Sequence, residues 1–445
     1  MSSRAIPSAI IVGAGVSGLA AAVILRRRGW RVTVLDAAER VGGAARAVRR
    51  EGFLCEEGPN TLLVSRAETR ALLEETGLLA KACAAATDAK NRFVVWNGRL
   101  VAVPTSPFAF IASPLLSFGA KVRLCGEPFR PRGRDPEETL ANFVRRRLGP
   151  EPLQELVGPF VSGVFAGDPE RLLVRHAFPR LWRLEQEHGG LIRGALKRGG
   201  GTGPKGKLVS WPGGLQDLPA ALAERAGEVR LQTPVAELRR GDSRLVVQCA
   251  GGARTADRVI LATDADTAER LLAPHLGEGV RPFREIPWAP ISVVHLGFRR
   301  SDVAHPLNGF GALISRARGL RTLGVLFSST LFPGRAPEGS VLLTVFFGGA
   351  LDPQALTLDD DALGEQAVRD LMPLLRLQAA PIFRHVARWP KAIPQYEARH
   401  GEVVAACEAA EQTLPGLHLL GNFRGGISMN DCLGNAVALA ESADF

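Results

Sequence analysis

Several features that would place a sequence in a common class are missing from this chain of 445 residues. The six cysteines show no C-x-x-C pair and no zinc-ligand spacing, so reduced thiols in a cytosolic protein are the simplest interpretation. There are no internal repeats or low-complexity tails. The longest uncharged run, residues 100–120, contains Pro104, Pro107 and Pro114, and lipid could not satisfy the backbone groups that these prolines leave open. A transmembrane helix is therefore not expected.

The charge of the chain is unbalanced. The formal net charge is +10, and lysine occurs only seven times, so arginine supplies most of the 55 basic residues. No basic run with interleaved aromatic residues is present, which argues against nucleic-acid binding. The excess of arginine suits an anionic substrate or an anionic lipid surface, although a compositional bias of the genome would explain the excess equally well.

One segment near the start of the chain has a specific glycine pattern. An apolar strand at residues 10–12 leads into a G-x-G-x-x-G motif and an alanine-rich helix, and a second strand at residues 31–35 ends on an aspartate. This order predicts a dinucleotide-binding βαβ unit, in which the glycines admit a pyrophosphate at the helix N-terminus and the acid binds ribose. A signal peptide is disfavoured because no cleavage pattern follows. The predicted contacts are Gly13, Ala14, Gly15, Val16, Ser17, Gly18, Asp36 and Ala37.

Two further polar turns favour FAD over NAD. A second glycine turn with flanking arginines follows the ribose acid, and a third turn lies at residues 56–61. Such turns suit a cofactor that is buried along its whole length, whereas an exchangeable NAD does not need them. The predicted contacts from these turns are Gly43, Arg46, Gly58, Pro59, Asn60 and Thr61.

The arrangement of patterns predicts an α/β protein with a discontinuous Rossmann-like FAD-binding domain, an inserted mixed-sheet substrate domain and a helical domain that could bind a membrane. We assign residues 1–88, 208–285 and 402–445 to the first, 89–93 and 286–401 to the second, and 94–207 to the third. The patterns predict helices at residues 137–147, 151–160, 171–187, 361–375 and 430–441, strands at 229–238, 258–262 and 341–347, and a glycine-rich loop at 199–207.

The proline-interrupted run has the composition of a surface that enters one membrane leaflet. Short helices there would present Phe108, Phe110, Ile111, Leu115, Leu116 and Phe118, followed by the basic residues Lys121, Arg123, Arg130, Arg132 and Arg134. An apolar wall of a substrate channel is the alternative.

Four segments carry a resemblance to a known family. They are EEGPNTLL at residues 56–63, SGVFAGDPERLLVRHAFPRLWRLEQEHGGLIRGA from Ser162, RWPKAIPQY at 388–396 and GNFRGGISMNDCLGNA at 421–436. Over nearly its whole length the chain resembles the FAD-dependent protoporphyrinogen oxidases of the flavin amine oxidase superfamily. AGDPERL, FPRLWRLEQ and AIPQY are specific to that family, whereas G-x-G-x-x-G and R-x-G-G also occur in amine oxidases and carotenoid desaturases.

The resemblance implies an activity in porphyrin and heme biosynthesis. Protoporphyrinogen IX would lose six electrons in three steps, each reducing noncovalently bound FAD, and dioxygen would reoxidise the flavin and give hydrogen peroxide. Flavin N5 accepts the hydride, so no side chain is assigned as a catalyst, and the pyrrole proton can leave through water. The expected location is cytoplasmic, with peripheral contact at the cytoplasmic face of the inner membrane.

The resemblance also implies site residues. Arg92 would bind a propionate, Gly167 is the family's active-site glycine, and the macrocycle would lie between Leu313, Leu326 and Phe346. Val235 would contact adenine through its backbone, Trp389 would pack near the flavin, and Gly421, Ile427, Ser428 and Met429 would approach it at the last helix. Asn60 is either an orienting group or structural. A surface ion pair for Arg92, strand core for the apolar residues and a plain turn for Gly167 are the alternatives.

Other functions stay open at this point. Coproporphyrinogen III, with four propionates, is the nearest alternative substrate and would need a second cationic contact. A flavin amine oxidase is harder to build, because the aromatic cage commonly includes tyrosine and this chain has only one, Tyr396. A carotenoid-type desaturase lacks the specific segments, and a porphyrin carrier with structural FAD is a non-catalytic option. A homodimer is one of the assembly states that remain open.

Overall fold

The computed structural model describes residues 6–197 and 206–442. Within these residues the strands are β1 Ser8–Val12, β2 Arg31–Leu35, β3 Ala47–Arg50, β4 Phe53–Glu56, β5 Leu62–Val64, β6 Cys83–Ala84, β7 Asn91–Trp96, β8 Arg99–Ala102, β9 Lys207–Ser210, β10 Glu228–Arg230, β11 Val235–Arg240, β12 Leu245–Cys249, β13 Gly252–Ala256, β14 Arg258–Leu261, β15 Trp288–Arg299, β16 Gly309–Leu313, β17 Gly324–Phe327, β18 Ser340–Gly348, β19 Phe383–Pro394 and β20 Leu417–Leu419.

The helices of the same residues alternate with these strands. They are α1 Val16–Arg27, α2 Ala67–Glu75, α3 Leu78–Lys81, α4 Pro107–Ala112, α5 Phe118–Cys125, α6 Leu140–Arg147, α7 Pro150–Pro152, α8 Gly158–Val164, α9 Val174–Ala177, α10 Pro179–His188, α11 Leu191–Lys197, α12 Asp217–Ala223, α13 Ala265–Leu276, α14 Arg281–Arg284, α15 Ser328–Leu331, α16 Asp360–Leu375, α17 His400–Thr413 and α18 Met429–Glu441.

The first large sheet has five parallel strands in the order β10–β2–β1–β14–β20. β1 pairs with β2 on one side and with β14 on the other, so the predicted βαβ unit and the predicted return of residues 258–262 to this sheet are confirmed. Every residue of β1 is buried, as in a strand covered on both faces. Helices α1, α12 and α18 pack on one face, and α13 and α17 pack on the other.

The second large sheet has seven strands in the order β19–β15–β18–β17–β16–β7–β8. Its strands are antiparallel to their neighbours except for β7, which pairs in parallel with β16. One face is covered by α16, through a core that joins Val294, Val345 and Phe347 to Leu363 and Leu371. The fold is therefore the mixed α/β architecture that the sequence patterns predict.

Two predicted boundaries differ from the structure. The proposed division between residues 93 and 94 falls inside β7, and β8 continues the same sheet to Ala102. Residues 94–102, which sequence analysis placed in the helical domain, thus belong to the seven-stranded sheet. The single strand predicted at residues 229–238 is two strands in different sheets, β10 and β11, and the break contains Pro234, which has no N–H to donate.

Two of the predicted helices contain irregular turns. The helix predicted at residues 151–160 is observed as α7, a π-helical turn at Leu153–Val157 and α8, which follow one another without a break. The helix predicted at residues 171–187, with a proline-interrupted start, is observed as α9 and α10, which meet at Phe178 because Pro179 begins a new helix. The loop predicted at residues 199–207 lies outside the described residues except for its last two positions.

The proline-interrupted run forms two short helices, α4 and α5. Lys121 of α5 donates to the carbonyl oxygens of Ile111 and Ser113, each at 2.8 Å, and so holds the helices together. Leu115 and Leu116 are buried between them, so the prediction that these two leucines are presented at the surface is wrong. In the part of the chain that the structure describes, no helix has the length and apolar character needed to cross a bilayer.

Candidate active site

The turn between β1 and α1 leaves open space at one of its three glycines. A Cβ atom at Gly13, whose φ is +110°, would overlap the carbonyl oxygen of Ala262, and a Cβ atom at Gly18 would overlap that of Gly13. A Cβ atom at Gly15 would meet nothing within 4 Å. Gly15 also caps α1 and has no side chain of its own that could accept from the first N–H groups of the helix. These features fit a pyrophosphate.

The carboxylate of Asp36 is oriented by backbone N–H groups. Oδ2 accepts from Ala14 at 2.6 Å, and Oδ1 accepts from Ala38 at 2.7 Å. Ala37, beside it, is exposed. Each carboxylate oxygen can accept a second hydrogen bond, so the bonds to the turn leave Asp36 able to accept from ribose hydroxyls. The position of the acid matches the sequence prediction, whereas its bond to Ala14 was not foreseen.

Two helix N-termini meet in the cofactor region. Ser17 in the first turn of α1 lies beside the Cys432 thiol in the first turn of α18. Ser428 caps α18 by accepting from the N–H of Asp431 at 3.1 Å, and Met429 is the first helical residue. Burial raises the pKa of the Cys432 thiol to about 11, which keeps it protonated and unreactive. This agrees with the expectation of a noncovalent flavin.

The second glycine turn links the nucleotide-binding sheet to the seven-stranded sheet. Gly42 pairs with Gly15 in an isolated β-bridge, and the carbonyl of Gly43 accepts from Nε of Arg46 at 3.0 Å. The Arg46 guanidinium lies 5.2 Å from the centre of the Trp389 ring on β19. A cofactor that begins at the first turn could therefore extend along this turn to Trp389.

The loop after β4 lies against the same tryptophan. The carbonyl oxygen of Glu57 accepts from Nε1 of Trp389 at 2.6 Å. A Cβ atom at Gly58 would overlap the backbone of Ala44, so the loop and the second turn approach closely. Asn60 donates from Nδ2 to the Gly58 carbonyl at 2.9 Å, a structural bond that leaves its side-chain oxygen uncommitted. Pro59 and Thr61 are half-buried in the same loop.

The hydrogen-bonded register of the seven-stranded sheet brings the predicted substrate residues to one face. Directly paired residues share a face, and so do residues two apart on a strand. One row crosses the sheet through the paired residues Arg92, Gly311, Leu326, Thr344, His295 and His385. The adjoining row passes through Leu313, Gly324, Phe346, Val293 and Ala387, and Trp389 lies two residues beyond Ala387. This is the face opposite α16, and we call it the site face.

Arg92 lies at the open end of the site face. Its side chain is exposed, and its guanidinium lies 5.5 Å from the centre of the Phe310 ring. In the part of the chain that the structure describes, no carboxylate forms an ion pair with Arg92. Leu313, in the next row, contacts α8, where a Cβ atom at Gly163 would overlap it. The surface ion pair considered for Arg92 is therefore not formed by these residues.

Two predicted contacts, Gly167 and Val235, already have neighbours within the protein. Gly167 is buried, and the space of its missing Cβ atom is taken by the side-chain oxygen of Gln395 rather than left open. The carbonyl oxygen of Val235 accepts from Nη2 of Arg270 at 3.0 Å, so this backbone oxygen is already engaged. At the last helix, Gly421 makes room for the Phe423 ring, and Ile427 packs on the helical region.

A set of polar residues at the β15–β19 end of the site face was not predicted from the sequence. Nε2 of His295 lies 3.1 Å from the Glu56 carbonyl oxygen, and Nε2 of His385 lies 3.0 Å from the Glu57 carboxylate. Glu56 forms a buried ion pair with Arg335 at 2.9 Å. Glu56 and Glu57 belong to a turn that the sequence marked as polar, but their partners lie far along the chain, so no local pattern could have found them.

The single tyrosine has a structural position. The Tyr396 ring is 1% exposed and stacks on His400 with ring centres 3.8 Å apart. Its hydroxyl donates to the Asn422 carbonyl at 2.6 Å and accepts from Gly426 at 3.1 Å. A ring packed in this way cannot form one wall of an aromatic cage for an amine.

Comparisons with known proteins agree with this geometry. A sequence model of the flavin-containing amine oxidoreductases matches residues 16–442. Protoporphyrinogen oxidase 2, chloroplastic/mitochondrial, of Arabidopsis thaliana is 33% identical over 97% of this chain and 92% of its own length. The coproporphyrinogen III oxidase of Bacillus subtilis is 26% identical over 98% of this chain and 97% of its own. A crystal structure of a protein from Exiguobacterium sp. 255-15, 25% identical, covers 100% of this chain and 99% of its own with a TM-score of 0.81.

The glycine turns, the two large sheets and the family match define the class: the chain belongs to the flavin-containing amine oxidoreductases. Within that class it belongs to the protoporphyrinogen oxidase family, as the identity and coverage of its relatives show. Its cofactor is FAD, and it is an FAD-dependent oxidoreductase.

The first turn predicts different results for its glycines. Gly15→Val should give a folded protein that purifies without flavin, because a Cβ atom there meets no protein atom within 4 Å while the new side chain fills the space for the pyrophosphate. Gly13→Val should also reduce folding yield, since its φ of +110° and the Ala262 carbonyl both exclude a side chain. Gly401→Val, in the first turn of α17 with open surroundings, is the matched control. Flavin absorbance per protein and circular dichroism are the measurements, and a yellow Gly15→Val protein would contradict the assignment.

Proposed function

We propose that this chain is an oxygen-dependent protoporphyrinogen IX oxidase. The observation that carries the proposal is the site face, on which the Arg92 guanidinium and the side chains of Leu313, Leu326 and Phe346 lie in adjoining rows that lead towards Trp389. A porphyrinogen is a large apolar ring with anionic propionates, so its site needs apolar walls and a cation at one end. The names of the plant relatives support the same substrate.

FAD, when bound, supplies the hydride acceptor and passes the electrons to dioxygen. The residues of the chain hold the partners in place. The first glycine turn and the N-terminus of α1 bind the pyrophosphate, Asp36 binds ribose, and the N-terminus of α18 stabilises negative charge at the flavin. The site face holds the macrocycle and excludes water, while Arg92 fixes its propionate end. Hydride transfer between well-oriented partners gains most from such positioning.

A direct comparison of substrates tests the proposal. Anaerobic protoporphyrinogen IX should bleach the flavin, and air should then restore it with formation of protoporphyrin and hydrogen peroxide. We expect a higher kcat/KM for protoporphyrinogen IX than for coproporphyrinogen III, because the two rows of the site face contain one arginine and the second substrate has four propionates. The opposite ranking would favour the coproporphyrinogen III alternative. Bleaching by benzylamine or a polyamine, but by neither porphyrinogen, would favour an amine oxidase.

Arg92 provides a second prediction. Arg92→Ala removes a charge-assisted hydrogen bond to a propionate, a loss of about 1.5–3 kcal/mol. This corresponds to a fall in kcat/KM of roughly 10- to 150-fold. The fall should appear mainly in KM, because the propionate keeps its charge during hydride transfer. Arg92→Lys should recover only part of it, since a point charge does not reproduce the guanidinium fork.

Arg240 is the matched control for Arg92. It is also an exposed strand arginine, but it lies on β11 in a different sheet, away from the site face. Arg240→Ala should leave kcat/KM unchanged, and both variants should keep their full flavin content. An Arg92→Ala enzyme with normal flavin and unchanged kcat/KM would return Arg92 to a surface role.

We also propose that the protein makes peripheral contact with a membrane through an apolar ridge, defined as Phe108, Ile111, Phe118, Val122 and Phe129. The three phenylalanines are 87%, 82% and 83% exposed, which is unusual for such large apolar side chains. The turn that ends at Phe129 is held in place by a fully buried ion pair between Glu127 and Arg147, so the exposed ring is on a rigid base. Exposed arginines at positions 130, 132 and 134 follow the ridge and suit anionic lipid.

Liposome flotation tests the ridge. Wild-type protein should float with anionic vesicles, and high salt should weaken this binding without removing it, because apolar insertion persists when the charges are screened. A triple change of Phe108, Phe118 and Phe129 to Ser should abolish flotation. The matched control changes Leu196, Leu351 and Ile382 to Ser, which are exposed apolar residues outside the ridge. Equal flotation of the two triple variants would contradict the proposal.

A further inference from the structure

A small cavity lies between the site face and the loop after β4. Its lining is mostly apolar and includes Leu54, Leu331 and Phe332. It also includes two predicted site residues, Asn60 and Leu326, and the polar residues Glu56, Arg335, Ser328 and Thr344. The cavity therefore joins the place where substrate would lie to a group of buried, exchangeable protons.

The ion pair at the inner end of the cavity is only partly satisfied. Oε1 of Glu56 lies 2.9 Å from Nη2 of Arg335 and also accepts from the N–H of Leu215 at 2.9 Å. Oε2 of Glu56 and Nη1 of Arg335 are buried and have no protein partner. An unpaired buried polar group is costly, and in folded proteins buried water commonly satisfies such groups. Oε2 of Glu56 is therefore able to accept a proton through such a water.

The hydroxyls and the histidine that line this region cannot take a proton permanently. Oγ of Ser328 and Oγ1 of Thr344 are 2.7 Å apart, and Thr344 lies 3.0 Å from Nδ1 of His295. Burial lowers the pKa of His295 to about 3, so its ring stays neutral near pH 7. Among the groups that line or adjoin the cavity, Glu56 is the one that can hold a proton at that pH.

We propose that Glu56 accepts, through the cavity, the pyrrole proton that the substrate loses in each oxidation step. The proposal rests on the proposed function. In each step a C–H bond of the porphyrinogen breaks and its hydride goes to the flavin, while an N–H bond breaks and its proton goes to the Glu56 carboxylate. One further bridge C–H proton moves to a pyrrole nitrogen by tautomerisation, so that the three steps together remove four C–H and two N–H hydrogens. Dioxygen then takes two electrons and one proton from the flavin, and it takes a second proton from Glu56. It leaves as hydrogen peroxide, and Glu56 is again a carboxylate.

The surroundings of Glu56 suit this role. Burial raises the pKa of its carboxyl to about 7, although Arg335 and the Leu215 N–H act in the opposite direction. The other ionisable groups near it are Asp217 of α12, which raises the pKa further, and neutral His295, which contacts the Glu56 carbonyl. An acceptor works best when its pKa is close to the working pH, because it then both takes and returns the proton.

Infrared spectroscopy of the resting holoenzyme tests the proposal without turnover. A protonated, buried carboxylic acid should give a C=O stretch that disappears as the pH rises through about 7. The band should be absent from Glu56→Gln. It should persist in the matched control Glu397→Gln, because Glu397 is also buried, also has a raised pKa and pairs with Arg171 at 2.7 Å, but does not line the cavity. If Glu56→Gln fails to fold, the titration of the wild-type protein decides. The absence of such a band from the wild-type spectrum would overturn the proposal.

Anaerobic flavin reduction by porphyrinogen is the second measurement. In the wild type the rate should rise with pH as Glu56 loses its proton, with a midpoint near 7. Glu56→Gln should lose this rise and react about 100-fold more slowly on the alkaline side, the lower end of the range for general base catalysis. Glu397→Gln should behave as wild type, and all proteins should carry full flavin.

The outcomes separate this inference from the proposed function. A wild-type protein that oxidises porphyrinogens, together with a flavin-loaded Glu56→Gln variant of unchanged rate and pH profile, overturns the inference alone. A wild-type protein that oxidises no porphyrinogen overturns both. Loss of the pH-dependent rise in Glu56→Gln, but not in Glu397→Gln, supports the role of Glu56.

Discussion

The register of the seven-stranded sheet is the constraint on which the substrate half of this protein depends. Side chains alternate between the two faces of a strand, so a slip of one residue in β16 or β17 would turn Leu313 or Leu326 away from the site face. The register is held from behind, where the opposite face packs on α16 through Val345 and Phe347. A hydrophobic core on one side of the sheet thus determines which residues are available for chemistry on the other.

The two large sheets are joined by contacts that centre on one loop. Trp389 donates to the carbonyl of Glu57, His295 contacts the carbonyl of Glu56, and the Glu56 side chain pairs with Arg335. Most of these partners belong to the seven-stranded sheet or its connections, whereas the loop follows a strand beside the nucleotide-binding turns. The same few residues therefore hold the loop after β4 at a fixed position against the site face.

The nucleotide half of the fold could be predicted from sequence because its signals are local. The glycine motif, the ribose acid and the strands and helix around them lie within about thirty residues, and a βαβ unit is a self-contained pattern. The fold of the inserted substrate-binding half was harder to predict from the sequence. The predicted domain boundary between residues 93 and 94 wrongly divided strand β7. Its parallel partner β16 lies some two hundred residues further along the chain, and periodicity cannot reveal a distant partner. The membership of Arg92, Leu326 and Phe346 in one face likewise needed the pairing of four strands.

The contact between Ser17 and Cys432 places the first turn of α1 against the first turn of α18, although more than four hundred residues separate them along the chain. A ribosome makes α18 after both inserted regions, and domains that are complete tend to fold as they emerge. The flavin site is consequently among the last parts of this molecule to be completed during synthesis. Binding of the cofactor then depends on correct folding of the whole chain. A protein with a misfolded insertion would not place α18 against α1, and it would remain colourless.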